Sequence, residues 1–188
     1  TPEEWRERQD TVATASSQDS SFIGRLWAWK ISALIAIDNP MTGGGFKAVT
    51  DRLLWNTYAP ETPNFSFINT PPIPATLTPK AAHNIYFQVL GDHGFAGLWI
   101  FLMILLGVIR TNRKNKKLAI KNNSVWCIKL CDAITLAMIG YCITGANVSL
   151  AYFELLYTFV GIVVVMRIHS STLMKSENTS ESERQGQL

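Results

Sequence analysis

The chain has 188 residues, 47% of them hydrophobic and 16% charged, with a formal net charge of +3 at pH 7. Such averages, and a mean hydropathy of +0.11, fit an ordinary soluble domain as well as anything else. Their distribution excludes a single water-soluble core: the chain is polar, Pro-rich and Trp-rich to about residue 93, whereas nearly all its long apolar runs lie between Gly94 and Met166. A charge of +3 is also too small to make nucleic acid the partner.

In chain order, Thr1-Pro2-Glu3-Glu4 is a helix-start pattern. No initiator methionine precedes it, nor a signal peptide's basic region and apolar core, so the chain is expected to be the C-terminal part of a longer one. A polar linker, Ala13 to Ser21, follows. Phe22 to Ile37 carries Ile23, Leu26, Trp27, Leu34 and Ile35 at helical spacing, with Trp27 and Trp29 suited to a membrane interface. At 16 residues with two charges, Arg25 and Lys30, this is a surface-lying helix rather than a span. Asp38-Asn39-Pro40 stops it, Gly43-Gly44-Gly45 permits a backbone turn, and Phe46 to Trp55 predicts another short amphipathic helix. Six prolines between Ala59 and Pro79 predict a loop of about 20 residues, a length typical of lids and binding loops or of disorder.

The run Gly94 to Ile109 has no charge, yet its 16 residues fall short of the roughly 20 that cross a bilayer. Extending it backward leads to Thr78-Pro79, an N-cap with Pro in the first helical position, and predicts one long helix over 79–110 that enters the membrane. Arg110, Arg113, Lys114, Lys116, Lys117, Lys121 and Lys129 then follow with no Asp or Glu among them, which makes 111–129 a cytoplasmic loop by the positive-inside rule. Ala133 to Phe153 is uncharged and only Glu154 intervenes before Arg167, so 130–168 predicts a transmembrane hairpin turning near Gly145 to Ser149. Glu154 falls near the outer end of the last span, as an interfacial carboxylate or a functional one. The polar tail 169–188 has no apolar periodicity and predicts disorder. The expected fold is therefore all-α: a multi-pass membrane protein fragment whose outer-face region, 1–78, precedes three transmembrane helices.

Cys127, Cys131 and Cys142 lie in or beside the apolar region, so no disulfide framework is expected. Cys127 and Cys131 share a helix face but have no His or third Cys nearby, which favours packing over metal binding. The chain has no phosphate-binding or dinucleotide loop, no HExxH and no nucleophile-elbow Ser. On the expected outer face remain His83, Arg25, Arg52, Lys47, Lys80 and the tryptophans. A helix start beside His83 and Lys80 attracts phosphate, and an imidazole there can accept a proton. A lone interfacial His can equally be structural.

His83-Asn84, nine residues, then Gly94-Phe95-Ala96-Gly97 resembles the H-[N/S/Q]-x9-G-x-x-G pattern of bacterial O-antigen ligases, whose superfamily includes O-antigen polymerases and protein O-oligosaccharyltransferases. Gly24-Arg25-Leu26-Trp27-Ala28-Trp29, Asp38-Asn39-Pro40 and Gly43-Gly44-Gly45-Phe46 also look like that superfamily's large periplasmic loop. Ala82 to Phe95 is most similar to the O-glycosylation ligases found alongside exosortase systems. The resemblance covers roughly residues 1–110. It implies transfer of a glycan from undecaprenyl pyrophosphate to an acceptor hydroxyl on a lipid, protein or glycan, at the periplasmic face of the inner membrane, with no metal or other cofactor. His83 matches the loop histidine, expected to activate the acceptor or contact the pyrophosphate. Arg25 matches the loop arginine, expected to hold the pyrophosphate bidentately. Lys80, Trp29 and Asn84 are further candidates for binding substrate, Asn84 equally for capping or packing. Gly94 and Gly97 read as structural. Such proteins carry many more spans upstream, so this chain by itself is expected to hold about half of a site. Competing readings are a repeat-unit polymerase, which differs in its acceptor, and a non-enzymatic transporter component or scaffold.

Overall fold

The computed structural model describes residues 20–64 and 69–185. The helix start at Thr1 to Glu4 and most of the 13–21 linker lie outside them. Among the described residues every regular element is helical: α1 (Ser20–Asp38), α2 (Arg52–Tyr58), α3 (Ile85–Lys121), α4 (Val125–Thr144) and α5 (Glu154–Gln185), with short 3₁₀ turns at Ala48–Thr50, Ala59–Asn64 and Gly145–Asn147. The chain divides into two compact units, Thr1–Trp99 with Gly145–Ala151, and Ile100–Thr144 with Tyr152–Leu188.

In the first unit α1 supplies the core. Trp27, Ala28, Ile31 and Ile35, spaced three and four apart on one stripe, pack with Val49, Trp55, Tyr58 and Ala82. Asp38 and Asn39 end the helix, and Pro40 cannot continue it. The helix expected over 46–55 is two pieces. Asp51 is extended and its carboxylate accepts from the amides of Leu53 (2.9 Å) and Leu54 (3.0 Å), so it closes the Ala48–Thr50 turn and caps a new helix that runs on to Tyr58. Tyr58 donates to Asp38 Oδ2 at 2.9 Å and ties α2 to the end of α1. Burial, and then that carboxylate, push the Tyr58 hydroxyl above its usual range.

The long helix begins six residues later than Thr78-Pro79 predicts. Residues 79–83 have no regular structure, and Asn84 caps α3 instead. The helix is broken once, at Gly94 (φ 68°, ψ −166°).

In the second unit the expected loop over 111–129 is mostly helix. α3 runs to Lys121, a turn with Asn123 in the left-handed region (φ 52°) stops it, and α4 starts at Val125. Asn112 donates to the Cys131 carbonyl (2.7 Å) and Thr135 Oγ1 (2.9 Å), and Asn115 to the Val163 carbonyl (2.9 Å), linking α3 to α4 and to α5. Lys116 pairs with Asp132 at the surface. The backbone of α5 continues to Gln185, where composition alone predicts no regular structure; no Gly or Pro occurs between 162 and 185 to stop it.

Two helices, Ile85–Lys121 and the Val125–Asn147 stretch, are long and apolar enough to cross a membrane, and only 22% and 17% of their apolar windows are buried. A soluble protein's core helix would be mostly covered. Here Trp99, Ile100, Met103, Leu106, Leu136 and Ile143 face outward. α5, the third expected span, is not among the helices meeting that measure.

Candidate functional site

Small residues on α1 let the 79–84 segment lie against it. A Cβ on Gly24 would meet Lys80 Cγ at 3.2 Å, so the Lys80 stem crosses α1 one residue from Arg25. Trp29, one turn further and on the same face as Arg25, donates from its indole to the Ala82 carbonyl at 2.7 Å and stacks on Phe87 (centroids 4.9 Å apart, rings 2° from parallel). Arg25, Trp29, Lys80 and the Ala82-His83 pair therefore belong to one neighbourhood. Trp27 anchors the preceding loop through the Pro71 carbonyl at 2.8 Å. Arg25 is half-buried; its Nε is shut away from water and has no hydrogen-bond partner among the described residues, while Lys80 is exposed. A buried donor left unmade costs about 1–3 kcal/mol, which an arriving anion would recover.

His83 stands just before the α3 cap, in the left-handed region at φ 45°, with its side chain exposed. A non-glycine residue held there is strained unless its surroundings fix it, and they do on both sides. Its amide donates to Ser149 Oγ at 2.9 Å, and the neighbouring Ala82 carbonyl is held by Trp29. Asn84 is buried and its side chain is engaged: Oδ1 accepts from the amides of Tyr86 (2.9 Å) and Phe87 (3.2 Å), and Nδ2 donates to the Ala146 carbonyl at 3.1 Å. Asn84 thus positions His83 by capping the helix behind it, and of its two sequence readings the structure displays the cap. Trp29 likewise acts by holding the backbone of Ala82.

The Gly-rich turn docks on the break in α3. Gly44 and Gly45 donate to the carbonyls of Gly91 and Asp92, both at 2.9 Å, and Ala96 donates to the Pro40 carbonyl at 3.2 Å. A Cβ on Gly43 would lie 2.6 Å from the backbone of 92–94, and one on Gly94 2.5 Å from the Pro40 oxygen. Gly97 is tight for another reason, since a Cβ there would strike His93 on its own helix. His93 stacks edge-on against Phe46, with centroids 4.8 Å apart.

Sequence reasoning missed several residues of this region. Asp92, 1% exposed, accepts from the Ala48 amide at 3.0 Å. Gln88 accepts from the Ala151 amide at 3.2 Å. Lys30, 2% exposed, donates to the Thr62 carbonyl at 3.1 Å, and burial lowers its pKa from the ordinary lysine value. Asp92 and Gln88 sit one turn apart on α3, and the signal that could have found them is a polar residue repeating at i and i+4 below His83-Asn84. Between them, the Lys47–Thr50 turn and Ala81-Ala82 lies a cavity of about 330 Å³, which Ser149 also lines. Among the described residues no three His, Cys, Asp or Glu side chains converge as metal ligands would.

Helical throughout its described elements, with two apolar helices left largely uncovered, the chain has the surface of an integral membrane protein, and its first unit carries an exposed histidine and an arginine whose Nε has no partner among the described residues, a candidate anion-handling face. Residues 3–102 match the family model for O-antigen ligase, more than half of the chain, and the protein belongs to that family. No curated protein and no solved structure matches it. The family's activity is of the ligase or polymerase type, moving a glycan from a lipid-linked donor to an acceptor.

Proposed function

We propose that this chain carries the transfer face of a bacterial inner-membrane glycan ligase, with residues 20–84 and the 145–151 turn on the periplasmic side and α3, α4 and α5 as three spans. The donor is a glycan on undecaprenyl pyrophosphate and the acceptor a hydroxyl, in the manner of the O-glycosylation ligases associated with exosortases. Pyrophosphate is a good leaving group, so the protein acts chiefly by positioning and by neutralising charge that develops on the departing oxygen. Arg25 holds the pyrophosphate through its planar fork, Lys80 adds a second positive charge, and His83 takes the proton of the attacking hydroxyl as the glycosyl bond to phosphate breaks. Arg25 and Lys80 supply the positive charge, and the reading calls on no metal.

One observation carries this reading: the Arg25 Nε, buried and without a partner, on the face of α1 that meets Lys80 and the backbone leading to His83. Its test is Arg25→Ala and Arg25→Lys introduced at the chromosomal locus, with transferred glycan and membrane protein level both measured. Arg25→Ala should lower transfer about a hundredfold at an unchanged protein level, the scale of losing one oxyanion donor. Arg25→Lys should recover only part of it, because a point charge lacks the fork. Wild-type transfer by Arg25→Ala would remove Arg25 from the site and this reading with it.

A further inference from the structure

The cavity beside His83 is built differently from the Arg25 side. Three of its polar lining groups are donors that no acceptor among the described residues uses. Gln88 spends its Oε1 on the Ala151 amide, which leaves Nε2 without a partner among the described residues. Ser149 accepts from the His83 amide and has its hydroxyl proton to give. Lys47, held at φ 65°, forms no ion pair among the described residues. Asp92 also lines the wall, buried and with its Oδ1 taken by the Ala48 amide, so its negative charge lies behind the surface and disfavours an anion, while Val49, Ala81 and Ala82 offer an apolar surface. Donors over a small apolar floor, with that charge behind them, match a neutral pyranose, whose hydroxyl oxygens accept and whose ring carbons present a C–H face. A volume of about 330 Å³ is at the small end for ligand pockets, the size of a single sugar ring rather than an oligosaccharide.

We propose that this cavity seats the terminal pyranose of a neutral glycan acceptor. Ser149 and Ala82 belong both to its wall and to the immediate surroundings of the His83 backbone, so a sugar bound there lies next to the segment that carries His83. The assignment of the occupant as acceptor rests on the transfer reading above; the binding of a neutral sugar does not.

The test is saturation-transfer NMR on the full chain in nanodiscs, with a neutral methyl hexopyranoside and a methyl hexuronide as probes. Gln88→Glu keeps an oxygen for the Ala151 amide and replaces the free donor by a carboxylate oxygen. Lys47→Asn removes that ammonium with a residue that tolerates positive φ. The wild type should bind the neutral glycoside in preference to the uronide, and each cavity variant should bind it about tenfold more weakly. Unchanged binding by Gln88→Glu, preference for the uronide, or no binding of the neutral glycoside by the wild type would each overturn the proposal. If Arg25→Ala retained full transfer, the transfer reading would fall while the sugar-binding result stood on its own.

Discussion

Asn84 illustrates how a residue beside a candidate site residue can act through the backbone. Its Oδ1 closes two amides of the first turn of α3 and its Nδ2 holds the Ala146 carbonyl, and these bonds fix where His83 leaves the helix axis. Asn84→Ala should cost about 1 kcal/mol, the usual worth of an N-cap, and should lower transfer through the freed backbone at 83. Asn84→Asp, which keeps the acceptor oxygen, should retain most of the stability. Thermal unfolding and transfer measured on both variants would decide this; equal losses in the two would mean that capping is not what Asn84 contributes. The pairing of His83 with Asn84 was legible in the sequence, but its geometry was not. Thr78-Pro79 and Asn84 are both good helix starts, and what favours Asn84 is tertiary: Trp29 binding the Ala82 carbonyl and Ser149 receiving the His83 amide hold the preceding residues out of the helix. Lys30 was likewise invisible as a buried group, since its charge argues for the surface and only the Thr62 carbonyl explains its place.

At the level of elements, the Gly-rich turn and the break in α3 form one joint. Gly43 and Gly94 each sit where the other segment's backbone comes closer than a Cβ tolerates, and both have positive φ. Gly94→Ala combines strained φ, about 1–3 kcal/mol by itself, with a collision against the Pro40 oxygen. It should destabilise the first unit and abolish transfer. Gly107→Ala, in the same helix with nothing within 4 Å of its Cβ, should be neutral or slightly stabilising. Circular dichroism melts of the two variants compare these outcomes, and a Gly94→Ala melt at the wild-type temperature would show that the joint is not needed. The sequence displayed the glycines and their order along the chain, and it read Gly94 as a helix-packing residue. The break itself, and the Asp92 and Gln88 side chains placed beside it, follow from contacts between segments about 50 residues apart, which no local pattern encodes.

At the scale of the whole molecule, the uneven distribution of polarity anticipated the division best. The polar first half makes a compact unit around α1, and the apolar runs make helices that leave Leu102, Leu106, Ile139 and Val165 uncovered. Family membership and this surface agree on an integral membrane protein. The basic stretch, read as a loop, turned out to be mostly helix because Arg, Lys and Leu are good helix formers and no residue between Gly94 and Asn123 adopts a left-handed stop. What these features place together in the first unit is an exposed imidazole, held by its backbone on both sides, and an arginine whose Nε has no partner among the described residues. The most direct measurement is glycan transfer by wild-type protein and His83→Ala in proteoliposomes, at equal protein level, supplied with an undecaprenyl-pyrophosphate-linked glycan and acceptor. Loss of a general base should lower the rate about 10²-fold or more while the lipid pyrophosphate still binds. A His83→Ala protein transferring glycan at the wild-type rate would contradict the account.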